Sequence, residues 1–233
     1  FEERRRRDRD SGDAPGAGSG GRCGLAALAL VATAAVAAAT VVVHADVDRL
    51  ARTCDVAVDG TVRARSVELD AAAGAIWTHY DVRVAETLWG DAAAELRVSV
   101  PGGTVGALTQ EVSGTPQLAE GERAVLFLWR DGPRLQVLGQ SQGCFRVVAT
   151  DDGPVCRNEL RGLALVGEGG RRVAAQRIVT PLDALRARVA EIAAERRAEI
   201  ARRRAALERR LAALRERALR RADETRGKPG GAE

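Results

Sequence analysis

The chain is poor in the residues that build reaction centres. It has two His and four Cys among 233 residues, and only three Trp, three Phe and one Tyr. Behind residue 45 a single His remains, His79, so neither a three-His metal site nor an HExxH helix can be assembled. There is no CxxC pair, which removes the usual zinc-ribbon spacing. Gly102-Gly103 and the glycines at 167, 169 and 170 lack both the strand-GxGxxG-helix context and a following GK[ST], and Ser113 has no GxSxG around it. Dinucleotide, nucleotide and serine-hydrolase motifs are therefore absent. Met is missing altogether and the first residue is Phe1, so the start reads as a fragment or as unusually placed. With one Lys against many Arg, the Arg, Ala and Gly excess reads as compositional bias, and nucleic acid is not an expected partner.

Charge is segregated along the chain. Residues 46–180 hold 15 Arg against 18 acids, whereas residues 181–233 hold 14 Arg and Lys228 against 9 acids. Ahead of both, Arg4 to Arg7, Arg9 and Arg22 precede an uncharged run of twenty residues, 24–43, which leads into Val43-His44-Ala45. A basic flank, an apolar stretch and small residues are the order of an export signal, and twenty residues also suffice for a transmembrane helix. Residues 1–23 are expected to be a basic, disordered segment. Residues 24–45 are expected to be a signal peptide or a membrane anchor, with association to the membrane through 24–43. The chain from residue 46 onward is placed outside the cytoplasm, in the periplasm, at the cell surface or tethered to the inner membrane. Cys23 precedes the apolar run, so it is not a lipobox cysteine. Three cysteines remain in the exported part, Cys54, Cys144 and Cys156, and an oxidising compartment permits one disulfide among them.

Residues 46–180 alternate as strands do. Val56, Val58 and Val62 fall on one parity with Asp55, Asp59 and Arg63 on the other. Ile76, Tyr80, Val82 and Val84 repeat this with His79, Asp81 and Arg83 outward, and residues 71–75 form the turn of a hairpin. Leu96, Val98 and Val100 make a third strand that stops at Pro101-Gly102-Gly103. The segment Ala124 to Trp129 is apolar on both parities and predicts the central strand, with Val58, Val82, Val84, Val98, Leu126 and Leu128 in the core. Further short strands are expected over 135–138, 145–149 and 157–166. This pattern predicts a mainly β fold, a small antiparallel OB-like barrel or sandwich, succeeded by a long α-helix over 181–226 and a disordered tail over 227–233. Thr180 and Pro181 supply N-cap and first-turn chemistry. Leu182, Leu185, Val189, Ile192, Ile200, Leu207, Leu211 and Leu214 lie mostly three or four apart, but Arg196 and Arg203 interrupt a coiled-coil seam. The helix is expected to dock its first turns and then run through solvent with weak or no self-association; a coiled coil and a peripheral contact to an anionic lipid or polymer are the competing readings.

No residue stands out as catalytic, cofactor-binding or metal-ligating. His79 sits beside Trp77 on the outward side of a strand, where the pair offers an interaction surface. A His79–Cys144 pairing is geometrically compatible with a barrel, but nothing in the spacing requires it. Asp151-Asp152-Gly153 has a fragment of calcium-loop composition that a β-turn explains fully.

Residues 85–90 (AETLWG), 98–103 (VSVPGG), 112–116 (VSGTP), 121–123 (GER), 126–128 (LFL) and 142–147 (QGCFRV), in this order, resemble a family of uncharacterised exported bacterial proteins of myxobacterial type. Its members read EVLKG, PGG, VSGxPxF, GExxLLFL and QGxFRV; here Trp89 stands for the usual Lys, Leu118 for an aromatic residue and Cys144 for Lys or a polar residue. The resemblance implies an extracytoplasmic β domain without an assigned reaction. It also brings early and late strands together, which favours a disulfide from Cys54 to Cys144, with Cys54 to Cys156 as the other choice. A weaker likeness is to the netrin-like, OB-type domain of metalloproteinase inhibitors, although Cys54 is too far into the chain to be a free N-terminal ligand. The expected function is that of a non-catalytic protein-binding or structural module of the cell envelope, with an unidentified envelope protein as partner and no cofactor. A netrin-like regulator of a secreted protease is the alternative, and an enzyme of unknown class is the remaining one.

Overall fold

Strand β7, Arg123–Asp131, carries apolar residues on both parities because both of its faces are covered. Ala124, Leu126 and Leu128 enter one apolar cluster, while Val125 and Phe127 enter a second on the opposite side. The computed structural model in which this is seen describes residues 40–167 and 169–226, with side chains as far as residue 220. It consists of a mixed β-sheet domain and, after it, a long C-terminal helix.

In chain order the elements are β1 (Thr40–Val43), α1 (Val47–Thr53), β2 (Val56–Asp70), β3 (Ala75–Trp89), β4 (Glu95–Pro101), β5 (Gly103–Val105) and β6 (Leu108–Gln110). After β7 come β8 (Arg134–Val137), a 3-10 turn (Gln140–Gly143), β9 (Cys144–Val148), β10 (Val155–Asn158), β11 (Leu163–Val166), β12 (Arg172–Val173), β13 (Val179–Pro181) and α2 (Leu182–Arg226). The main sheet runs β13-β10-β9-β7-β2-β3-β4-β8, and β8 also pairs with β7. The β4–β8 ladder is parallel, at Val98↔Leu135, as is β1–β11, so the expected all-antiparallel arrangement is replaced by a mixed one.

The β2–β3 hairpin is long enough to serve two layers. Register shifts at Ala57/Val58, Asp59/Gly60 and Val62/Ala64 bend it. Gly60 sits at this bend, where a Cβ would lie 2.6 Å from Val82 Cγ1 and 2.8 Å from the Arg83 carbonyl. Inside the bend Val56, Val58, Val62, Tyr80, Val82, Val98, Val100, Leu126 and Leu128 form the first core, and Val84 packs against it half-buried. On the other side Leu50, Cys54, Ala57, Phe127, Phe145 and Cys156 meet Leu182, Leu185, Val189 and Ile192 of α2. The second core is what holds the helix.

Helix α2 starts at Leu182, one residue later than its proline suggests. Pro181 ends β13 opposite Val155, and the Leu182 N–H donates to the Pro154 carbonyl at 3.0 Å. Buried Asp59 accepts from Arg123 and, at 2.7 Å, from Arg186 of α2. Arg196 caps the end of α1 by donating to the carbonyls of Ala51 and Cys54, and its guanidinium lies 3.9 Å from the centre of the Trp89 ring. Beyond this point the helix leaves the domain, and Ile200, Leu207, Leu211, Leu214 and Leu219 are exposed.

Three expectations are corrected. The apolar run ends in strand β1, which pairs with β11 from Thr40↔Leu163 to Val43↔Val166. Among the described residues no helix is long and apolar enough to cross a membrane, so the transmembrane helix is not found; residues 24–39, like the basic segment before them and the tail after residue 226, lie outside the described part. No disulfide forms among the described residues either: Cys54, Cys144 and Cys156 are free and buried. Cys144 belongs to the first core, and Cys54 and Cys156 to the second. The favoured Cys54–Cys144 pair is thus split between opposite sides of the sheet. The coiled coil is not supported either: among the described residues the exposed surface of α2 has no helical partner.

Candidate functional site on the outer sheet face

The β3–β4 register sets Trp77 opposite Pro101 and His79 opposite Ser99. Because alternate residues point to opposite faces, these four lie on the outer face while Tyr80, Val98 and Val100 fill the core. Trp77 and His79 are therefore brought together as the alternation predicts, but with different surroundings. His79 is buried. Its Nδ1 is 2.9 Å from Ser99 Oγ, and its Nε2 is 3.4 Å from Glu68 Oε2. Ser99, His79 and Glu68 thus stand in a chain in which the two buried side chains satisfy each other and the exposed carboxylate lies beside the ring. His79 and Cys144 do not pair, since one is on the outer face and the other in the first core.

Trp77 is half-buried under Arg134, whose guanidinium stands 4.5 Å from the ring centre. Arg134 in turn donates to Asp70 at 2.7 Å. The Asp70 carboxyl is held below the usual carboxylate range by the Ala73 backbone N–H first and by Arg134 second. Nearby, the bidentate bond from Arg97 lowers the Asp81 carboxyl in the same way. The face thus carries fixed, paired charges around an aromatic ring.

Ser99 and Pro101 also line a groove of about 370 Å³, bounded by Val42, Pro116, Trp129, Gln136 and Gln140. Trp129 is more than a third exposed there. Gln140 comes after Gly139 with φ of 60°, and it is the one non-glycine residue with positive φ among the described residues. Left-handed backbone at a non-glycine costs free energy and recurs at binding and active sites. Sequence reasoning has no means of finding Ser99, Glu68 or Gln140. Their relation to His79 and Trp129 depends on strand pairing, although the AVLFLW segment does announce that Trp129 ends a central strand.

Among the described residues the cysteines offer no reactive thiol. Burial pushes Cys144 up to about 12 and Cys156 up to about 11, and burial also raises Cys54. No group of three or more His, Cys, Asp or Glu among the described residues could hold a metal ion. No protein-family model matches the chain, and no curated protein matches it.

Proposed function

We propose that the protein is an extracytoplasmic module of the cell envelope that binds another protein through the outer face of β3, β4 and β8. The observation that carries this reading is the groove in which Ser99, Gln136 and Gln140 surround exposed Trp129, beside the Trp77–Arg134 stack. Trp and Arg are the side chains that most often dominate binding energy, and a groove with few polar groups fixes orientation. The finer architecture we favour is a five-stranded OB-like barrel. It rests on the ring of pairings β2-β3-β4-β8-β7, which returns to β2. Location outside the cytoplasm rests on the basic flank and apolar run of the N-terminal region. Protease added to intact spheroplasts, together with crosslinking in native membranes, tests the reading. Digestion of the β domain and one discrete adduct are expected, and protection of the domain or absence of any adduct contradicts it.

The Ser99–His79–Glu68 chain favours a second reading, acyl transfer with Ser99 as nucleophile and His79 as base. A fluorophosphonate that labels Ser99 in the wild type but not in His79→Ala supports it; an unlabelled folded protein removes it.

A further inference from the structure

The apolar stripe that docks α2 does not stop where the domain stops. Leu182, Leu185, Val189, Ile192 and Ala193 are buried against the sheet and α1. At 100° per residue, Ile200, Leu207, Leu211 and Leu214 continue the same line along the helix, where they are 46% to 57% exposed. Arginine flanks the exposed part on both sides. Arg203, Arg210 and Arg217, seven apart, run along one edge, and Arg197, Arg204 and Arg215, seven and eleven apart, run along the other. Between residues 197 and 220 there are nine Arg and three Glu. Glu199, Glu208 and Glu216 are taken up by Arg202, Arg203, Arg204 and Arg220. Among the described residues Arg209, Arg210, Arg215 and Arg217 have no carboxylate partner.

This charge pattern selects the occupant. A second copy of α2 lying along the leucine stripe would set arginine edge against arginine edge, whether parallel or antiparallel, and like charges at those positions oppose pairing. A nucleic acid would match the charge but leave four large apolar side chains in water. An anionic bilayer surface satisfies both, because leucines enter the acyl boundary while the long arginine side chains reach back to phosphate. We propose that the distal half of α2, residues 197–220, lies on an anionic phospholipid surface, with the β domain held beside the membrane by the docked first turns. This contact is separate from the groove on the sheet.

The test is co-sedimentation of the full chain with vesicles of phosphatidylglycerol and phosphatidylcholine, and with phosphatidylcholine alone. Two triple variants, Arg203→Glu/Arg210→Glu/Arg217→Glu and Leu207→Ser/Leu211→Ser/Leu214→Ser, alter only exposed positions, and circular dichroism verifies that the domain is folded. Binding is expected to require the anionic lipid and to weaken with salt. It should fall about a hundredfold in the charge variant and at least about tenfold in the leucine variant. Equal binding to both lipids, or no difference between wild type and variants, overturns the proposal. So does a salt-insensitive dimer abolished by the leucine variant, which assigns the stripe to a second copy. Charge-dependent binding indifferent to the leucines also overturns it, by assigning the helix to a soluble polyanion.

Discussion

Arg186 Nη2 lies 2.7 Å from Asp59 Oδ2, so the third helical residue after Asp183 reaches across to a fully buried carboxylate in the bent part of β2. Arg123 holds the other side of the same carboxylate, and Glu86 stands 3.0 Å from Arg186. Asp59 is the shared anion through which α2 is registered on the sheet.

Replacing Asp59 by Ala should destabilise the domain by about 2 to 4 kcal/mol, since two guanidinium groups lose their common partner but are partly reached by water. Urea unfolding measures it. A loss under about 0.5 kcal/mol would show that the apolar contacts of α2 suffice without the ion pair.

Leu126 is buried in the first core and Arg63 is exposed on the outer side of β2. Leu126→Ala should cost about 2 to 5 kcal/mol through lost transfer free energy and a cavity, and Arg63→Ala should stay within about 0.5 kcal/mol. Comparable losses at both positions would contradict the inside-outside assignment.

The alternation of Val56 to Val62 and Ile76 to Val84, and the doubly apolar AVLFLW, made the hairpin, the central strand and most of the first core legible. The second core was not legible, because its members are single residues from many elements: Leu50, Ala57, Phe145, Cys156 and Leu182 share no period. Short strand β1 was concealed inside a run whose composition also suits an export signal. The site was half legible. Trp77 and His79 were visible as outward residues, but Ser99, Arg134 and Gln136 become their neighbours only through the β3–β4 and β4–β8 pairings.

Strand β1 is fixed by a buried amide: Gln142 Oε1 accepts from the Ala45 N–H at 2.8 Å, and its Nε2 donates to the Val43 carbonyl. The folded protein should therefore retain residues 40–43, and Gln142→Ala should speed hydrogen exchange at His44 and Ala45 by at least about tenfold. A mature N-terminus at Asp46 by mass spectrometry would contradict this.

Free buried thiols give the fold an alkaline limit. A thiol whose folded pKa is raised stays protonated in the native state while the unfolded state ionises, so stability is complete below about 9 and declines as pH rises toward 11 to 12. Carboxylates act in the opposite sense. Asp48, lowered chiefly by Arg188, and Asp70 and Asp81 lend stability above the ordinary carboxyl value of 3.8 that is lost as pH falls below it. Iodoacetamide should modify Cys54, Cys144 and Cys156 only after unfolding, without reductant. A disulfide among them on peptide mapping would refute the assignment.

The binding face is tested most directly by a photo-reactive residue placed at one position at a time in the full chain and irradiated in living cells. At Gln136, in the groove beside Trp129, a discrete protein adduct is predicted, and it should disappear when Trp129 is also changed to Ala. At Arg63, away from the groove, no such adduct should form. Equal labelling at both positions, or none at Gln136, would contradict a protein-binding role for the outer face of β3, β4 and β8.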